Sequence, residues 1–341
     1  MKYIKKVIGV DISKDSFVIC FGTLDNNLLQ KISPPMKLSN DKAGFNKLLK
    51  SIKNNKNSSD ARASGEGVWI VMEATGVYYE NLAYFLTENK FQVSVILPNK
   101  IKYFAKTLEG KSKTDNIDAA ILTQFGLEKV LKPWGAPTMM MKRLKELTRE
   151  YHTVNKLSTQ IKNRLHSKNY SFKPTTETIK RIKEQIKLCK KQLNQIRLQI
   201  ETLCREDQQL YSKIKKITTV KGLRIMTVVS VICETNGFAL IQNNKQLTSY
   251  AGLDIVQNES GTHIGKTRIS KKGNSKLRKA VYMPAVCSIR WNQKMKEFYK
   301  RLCSTKVNKK VALVAVARKL LILIYTLWKK DQEYIADYKH A

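Results

Sequence analysis

Three kinds of hydrophobic spacing divide the chain. In the first third the apolar positions come in short runs: residues 4–12 and 16–22 read as two strands joined by a tight turn at Ser13-Lys14-Asp15. A third extended segment lies near Lys31 to Leu38. Val68 to Met72 is a continuous apolar run, the mark of a strand covered on both faces, and Phe91 to Leu97 is another, closed by Pro98. Between these runs the spacing changes to three and four. Asp41 to Ile52 predicts a helix with Phe45, Leu48, Leu49 and Ile52 on one face, and Tyr78 to Leu86 predicts a second. A third opens at Thr114, a good N-cap, with Leu122 and Phe125 along its apolar stripe. The polar run from Asn54 to Gly67 is a loop. A β hairpin followed by alternating helix and strand, within one domain's length, is compatible with a ribonuclease-H-like α/β fold.

Past Lys132-Pro133-Trp134-Gly135-Ala136-Pro137 the pattern becomes all-helical. Met139 to about His166 places Leu144, Leu147, Tyr151, Val154, Ile161 and Leu165 on one face. A second helix begins near Thr176, and Ile179, Ile182, Ile186, Cys189, Leu193, Ile196, Ile200 and Leu203 alternate steps of three and four. That is a heptad seam, expected to form a coiled coil, either as an intramolecular hairpin or between copies. Ile214 to Ile232, broken at Gly222, reads equally as a helix–hairpin–helix and as an ordinary αα turn. The apolar segment Val311 to Trp328 is interrupted by Arg318 and Lys319, which predicts a buried helix rather than a membrane span. The expected organisation is α/β plus all-α: residues 1–132, a coiled-coil region at 139–213, and a mainly helical domain at 214–330.

Charge narrows the function. Lys and Arg number 63 against 27 Asp and Glu, a formal +36, and an excess of that size predicts a polyanionic partner, with nucleic acid foremost. The six cysteines show no metal-ligand spacing, and the N-terminus runs straight into a strand with no signal peptide, so reduced thiols and a cytoplasmic location are expected.

Four carboxylates stand out. Asp11 and Glu73 each end an apolar run, and Asp115 and Asp118 share a face in the first turn of the Thr114 helix. Such a cluster suits phosphate chemistry, because two divalent ions held by carboxylates clamp the attacking and leaving oxygens of an in-line displacement. The glycine-poor Asp11-Ile12-Ser13-Lys14 speaks against an actin-like phosphate loop, and no Walker A loop is present. Farther on, Tyr250-Ala-Gly-Leu-Asp254, Glu259-Ser260-Gly261 and Lys266 to Lys279 mix glycines, hydroxyls and cations, a loop suited to close approach to phosphates.

These blocks, in their order and spacing, resemble the DEDD transposases of bacterial insertion sequences, of the insertion sequence 110 type. The resemblance rests on Gly-Val-Asp11-Ile-Ser-Lys, Met-Glu73-Ala-Thr-Gly, Lys-Thr-Asp115-Asn-Ile-Asp118-Ala, Tyr-Ala-Gly-Leu-Asp254, Glu-Ser260-Gly and Ile-Ser-Lys-Lys-Gly-Asn-Ser-Lys-Leu-Arg278-Lys, and spans nearly the whole chain. It implies a RuvC-like N-terminal domain whose tetrad, Asp11, Glu73, Asp115 and Asp118, holds two Mg²⁺ ions. It implies also a C-terminal transposase domain with a serine nucleophile, Ser260 by its place before Gly261, with Ser270 the alternative. The activity implied is site-specific strand cleavage and rejoining through a phosphoserine link, guided by a structured RNA, in a nucleoid-associated dimer or tetramer. Acids and serine are expected to act on one phosphodiester. Lys111, Lys113, Lys266, Arg268, Lys271, Lys272, Lys276 and Arg278 are the expected contacts to DNA or RNA. The competing expectation is a RuvC-like nuclease or junction resolvase that uses water and needs no serine.

Overall fold

The structure, a computed structural model, describes residues 3–54, 67–108, 114–265, 267–305 and 308–335. It divides into two compact units, Met1–Ala136 and Pro137–Ala341.

In the first unit β1 (Tyr3–Ile12) and β2 (Ser16–Asp25) form an antiparallel hairpin, closed where the Ser13 N–H donates to the Ser16 carbonyl at 2.9 Å. Two short strands, β3 (Gln30–Ile32) and β4 (Met36–Ser39), both pair with β2. The expected single segment is split by Ser33-Pro34-Pro35, since proline gives no donor to a ladder. Helix α1 (Lys42–Asn54) leads to β5 (Val68–Glu73), then α2 (Glu80–Glu88) and β6 (Gln92–Ile96). Strands β1, β5 and β6 run parallel, and the longest path through the sheet is β3-β2-β1-β5-β6. Pro98 does more than end a strand. It stands at the start of α3 (Pro98–Ala105), where a missing N–H costs nothing because that group has no intrahelical partner. Helix α4 (Asp115–Glu128) follows, its Thr114 hydroxyl accepting from the Ile117 N–H at 3.3 Å.

Strand alternation gives the sheet two different faces. Ile8, Val10, Ile12, Phe17, Ile19, Ile70 and Met72 pack with Phe45 and Leu48 of α1 and Leu82 and Leu86 of α2. Val7, Val71, Leu122, Phe125 and Leu127 form the core on the α4 side.

Among its described residues the second unit is built of helices and four two-residue strands. Helices α5 (Met139–Asn169) and α6 (Thr176–Glu206) pack against each other. On α6 the positions seven apart, Ile182, Cys189 and Ile196, are buried and lead to buried Ile200, Leu203 and Cys204. Ile179, Ile186 and Leu193, the other half of the seam, are half-buried. Within the chain α5 and α6 thus form a helical hairpin. Helices α7 (Gln208–Thr218), α8 (Ile225–Glu234) and α9 (Asn244–Ala251) come next, followed by strands β7 (Ile255–Val256), β8 (Glu259–Ser260), β9 (His263–Ile264) and β10 (Arg268–Ile269). Helices α10 (Ser275–Trp291), α11 (Gln293–Thr305) and α12 (Lys309–Lys330) complete the unit.

Helix α12 is long and apolar enough to cross a membrane, yet Val316, Ala317, Leu320, Leu321, Ile324 and Leu327 lie in the core with α7, α8 and α10. The Gly222 turn between α7 and α8 is packed rather than open. A Cβ there would meet the Ser288 hydroxyl of α10 at 2.2 Å, and that hydroxyl donates to the Lys221 carbonyl. All six cysteines are free thiols. Burial pushes Cys204 up to about 11 and raises Cys233 as well, so both stay protonated and inert.

Candidate active site and nucleic-acid interface

In the first unit one buried hydroxyl and two glycines seat α4 on the hairpin. On the α4 face of the sheet, Gly9 of β1 lies opposite Cys20 of β2, and Gly22 lies opposite Val7. A Cβ on Gly9 would stand 2.4 Å from the Thr123 backbone nitrogen and 2.5 Å from the Ala119 carbonyl. A Cβ on Gly22 would meet the Thr123 methyl at 2.4 Å. Without those side chains α4 lies directly on the strands. The Thr123 hydroxyl accepts from the Gly9 N–H at 3.1 Å and lies 3.1 Å from the Cys20 carbonyl and 2.8 Å from the Ala119 carbonyl. This fully buried threonine thus joins helix and hairpin in one small polar node.

Gly126 of α4 lies over Val7 and Val71, whereas Thr123 and Ala119 lie over Gly9. The helix therefore runs towards its N-terminus as β1 runs towards Asp11. Asp115 and Asp118 stand one turn before Ala119 and Leu122 and prolong the same stripe. Asp11 follows Val10, whose partner on β5 is Met72, and Glu73 follows Met72. Both strand acids thus lie at the carboxyl ends of neighbouring parallel strands, with Asp11 on the Gly9 face and Glu73 on the Val71 face. Glu73 accepts from the Thr75 hydroxyl at 3.3 Å. Strand alternation and the direction of α4 thus assign all four acids to the α4 side of the sheet, towards the carboxyl ends of β1 and β5. Among the described residues, no three His, Cys, Asp or Glu side chains close into a metal-holding group. The donor set itself is all carboxylate, the chemistry that suits a hard divalent ion.

The second unit joins the expected loop motifs through their backbones. Gly252 ends α9 in the left-handed conformation, φ 64°, and Gly273 packs so tightly that a Cβ would meet the Tyr250 carbonyl at 2.5 Å. The Lys271 N–H donates to the Gly252 carbonyl at 3.1 Å, the Asn274 N–H to Tyr250 at 2.8 Å and the Ser270 N–H to Asp254 at 2.9 Å. Arg278 was expected at a phosphate. Its Nη1 donates to the Ala251 carbonyl at 2.8 Å and the Gly273 carbonyl at 3.3 Å, holding the two motifs together.

From this base a small arm emerges. Strands β7 and β10 pair at Val256↔Arg268 and Ile255↔Ile269, and β8 pairs with β9 beyond them. Ser260 lies exposed on β8, before Gly261 at φ 55°, and its cross-strand partner is His263. The Ser270 hydroxyl, half-buried, donates to the Asp254 carboxylate. Of the expected cations, Arg268, Lys271, Lys272 and Lys276 are exposed, and Lys271 adopts a left-handed φ of 54°. Lys111, Lys113 and Lys266 lie outside the described residues.

Thr123, His263 and Glu234 were not singled out in the sequence. The pair Gly9 and Gly22 on one strand face was the readable hint of a close helix. A His three residues after a serine, across a glycine turn, was the hint for His263.

Residues 8–168 match the DEDD family of transposases of IS110 type, and residues 214–300 match the transposase IS116/IS110/IS902 family. The chain is 27% identical over 337 residues to the pilin gene-inverting protein of Moraxella bovis, covering 97% of this chain and 98% of that one. The corresponding protein of Moraxella lacunata is likewise 27% identical over 337 residues. Among solved structures, the Aquifex aeolicus member of the Ppx/GppA family is 12% identical, covering 96% of this chain and 92% of that one, at a TM-score of 0.21, too low to compare folds.

Proposed function

The chain belongs to the IS110-type transposases and is a DNA transposase or recombinase, and from that premise we propose that it breaks and rejoins DNA through a phosphoserine link. The observation that carries the proposal is the shared position of Asp11, Glu73, Asp115 and Asp118 at one end of the sheet face that α4 covers. The strand path, with an antiparallel hairpin flanking parallel β1, β5 and β6, supports a RuvC-like reading of the first unit.

In this reading the four carboxylates hold two Mg²⁺ ions, which supply Lewis-acid stabilisation of charge on the phosphate when bound. Ser260 is the nucleophile. Its exposure supports that choice, whereas the Ser270 proton is engaged by Asp254 and serves the turn. As the Ser260 Oγ–P bond forms, the P–O bond to the leaving strand breaks, and that sugar oxygen departs and takes up a proton. We assign the proton of Ser260 to His263, its cross-strand partner. A structured RNA that selects the sites, and assembly as a dimer or tetramer, complete the proposal. They rest on the family resemblance and on the +36 charge.

The test is covalent capture. Incubated with substrate DNA and Mg²⁺ and resolved on denaturing gels, the parent chain is expected to carry a DNA adduct and Ser260→Ala none. An adduct that survives in Ser260→Ala but vanishes in Ser270→Ala would transfer the role to Ser270. Strand cleavage with no adduct in any variant would point to a water nucleophile. His263→Ala should lose most of the adduct yield and recover it with added imidazole.

A further inference from the structure

One carboxylate in the second unit is buried among cations. Glu234, the last residue of α8, is 6% exposed. Its Oε1 accepts from Arg149 Nε of α5 at 2.7 Å, and its Oε2 accepts from Arg149 Nη2 at 3.1 Å. The same Oε2 accepts from Asn274 Nδ2 at 2.8 Å. Asn274 is in turn the N-cap of α10, its Oδ1 accepting from the Lys276 and Leu277 N–H groups. A single side chain therefore ties the guanidinium of α5 to the first turn of α10.

That tie brings two pairs of cations together. Lys145 precedes Arg149 by one turn of α5, and Lys276 and Lys279 share a face at the start of α10. Burial lowers the Lys276 ammonium, and repulsion from Arg149, Lys145 and Lys279 lowers it further, with Glu234 acting the other way. Four cations are thus near enough to act on one another around one anion. The Arg149 side chain is still 41% exposed, and Lys276 and Lys279 face solvent. Of the α5 acids beside Arg149, Glu146 and Glu150 are both exposed, and Glu150 lies beside Gln192 and Gln195 of α6. Burying a carboxylate to hold cations together is costly for folding alone, and a bidentate pair gains most where geometry matters.

We propose that Lys145, Arg149, Lys276 and Lys279 form a seat for the phosphodiester backbone of a nucleic acid, with Glu234 as the positioning residue that fixes their geometry. The seat rests on the reading of this chain as one that acts on nucleic acid, and it lies apart from the chemistry of Ser260. The Arg149 guanidinium is held at a fixed angle by its Nε and Nη2 edge. Lys145, Lys276 and Lys279 add charge without a fixed angle.

The full chain is titrated with a labelled DNA duplex of mixed sequence and, separately, a labelled RNA hairpin, across a series of salt concentrations. Lys145→Gln/Lys279→Gln is expected to weaken binding and to reduce the slope of log affinity against log salt by about two for duplex DNA, at about 0.9 per phosphate contact. The probe that shows the reduction identifies whether DNA or RNA occupies the seat. Unchanged slopes with both probes overturn the proposal. Glu234→Gln makes the chain more positive, so simple charge attraction would tighten binding. The proposal requires binding to weaken, and a folded Glu234→Gln chain that binds as tightly as the parent removes Glu234 from it. The readout is equilibrium binding. A chain with the expected slopes that never forms a phosphoserine link sinks the recombination chemistry and leaves the seat standing.

Discussion

The two units place the groups of the proposed chemistry by opposite means. In the first, the acids lie on long, well-packed elements: Asp11 and Glu73 on strands of ten and six residues, Asp115 and Asp118 on the first turn of a fourteen-residue helix. In the second, Ser260 is carried on an arm of two-residue strands. The glycines show the same division. Gly9 is there for what it touches, with backbone atoms of α4 closer than any side chain allows. Gly261 is there for its angle, φ 55°, with nothing within 4 Å of where a Cβ would be. A metal cluster needs carboxylates fixed to a fraction of an ångström, which only a packed core supplies. A nucleophile that must reach a phosphate in a bulky substrate needs exposure first.

The largest expected effect tests the packed side. Asp11→Asn or Glu73→Gln should reduce Mg²⁺-dependent strand cleavage by several orders of magnitude while leaving duplex binding near the parent value. Full cleavage by either would remove that residue from the proposed cluster. Next comes the contrast between glycines. Gly9→Ala must push α4 off the sheet, and overpacking of this kind costs about 1–3 kcal/mol, so chemical denaturation should show it together with a loss of cleavage. Gly261→Ala should cost about 1–2 kcal/mol, confined to the arm, because it meets strain but no clash. If Gly261→Ala proved the more destabilising of the two, the contrast would be wrong.

A smaller effect concerns acid stability. Burial would raise the Glu234 carboxyl, but hydrogen bonds from Arg149 and Asn274 outweigh it and hold it below the ordinary value. A depressed carboxyl contributes stability that is complete above its unfolded pKa and is lost as pH falls through the folded one. The difference in stability between the parent and Glu234→Gln should therefore be widest near neutrality and shrink in acid. A difference that grew with acidity would contradict the assigned direction. The smallest effect is at Lys271, whose left-handed φ of 54° favours glycine; Lys271→Gly should be neutral or stabilising by less than about 1 kcal/mol in thermal unfolding.

Much of this was legible from one sequence, for identifiable reasons. Val68 to Met72 read as a strand because an unbroken apolar run needs cover on both sides, and Glu73 stood out as the charge that ends it. Thr114 read as a cap because its hydroxyl precedes a helical stripe, and the structure uses it so. What escaped depends on partners distant in the chain. Thr123 looks like any mid-helix threonine until Gly9, 114 residues away, donates to it. Glu234 ends an apolar helix and gives no sign that Arg149 and Asn274 converge on it. Arg278 is a further case: a cation among cations suggests phosphate, and the sequence does not show that its Nη1 also meets two carbonyls of neighbouring turns. Composition counts charges and cannot say which are already spoken for.

The serine arm is anchored at Ile255↔Ile269 and Val256↔Arg268, with a further bond from the Gly265 N–H to the Asn258 carbonyl. Everything distal to those anchors is free to change length without moving the helices beneath. Residues inserted in equal pairs on either side would extend the hydroxyl's reach and keep it facing the same way, whereas a single insertion would turn it to the opposite side. Reach and facing are thus separately adjustable dimensions, and a stretch of about ten residues holds both.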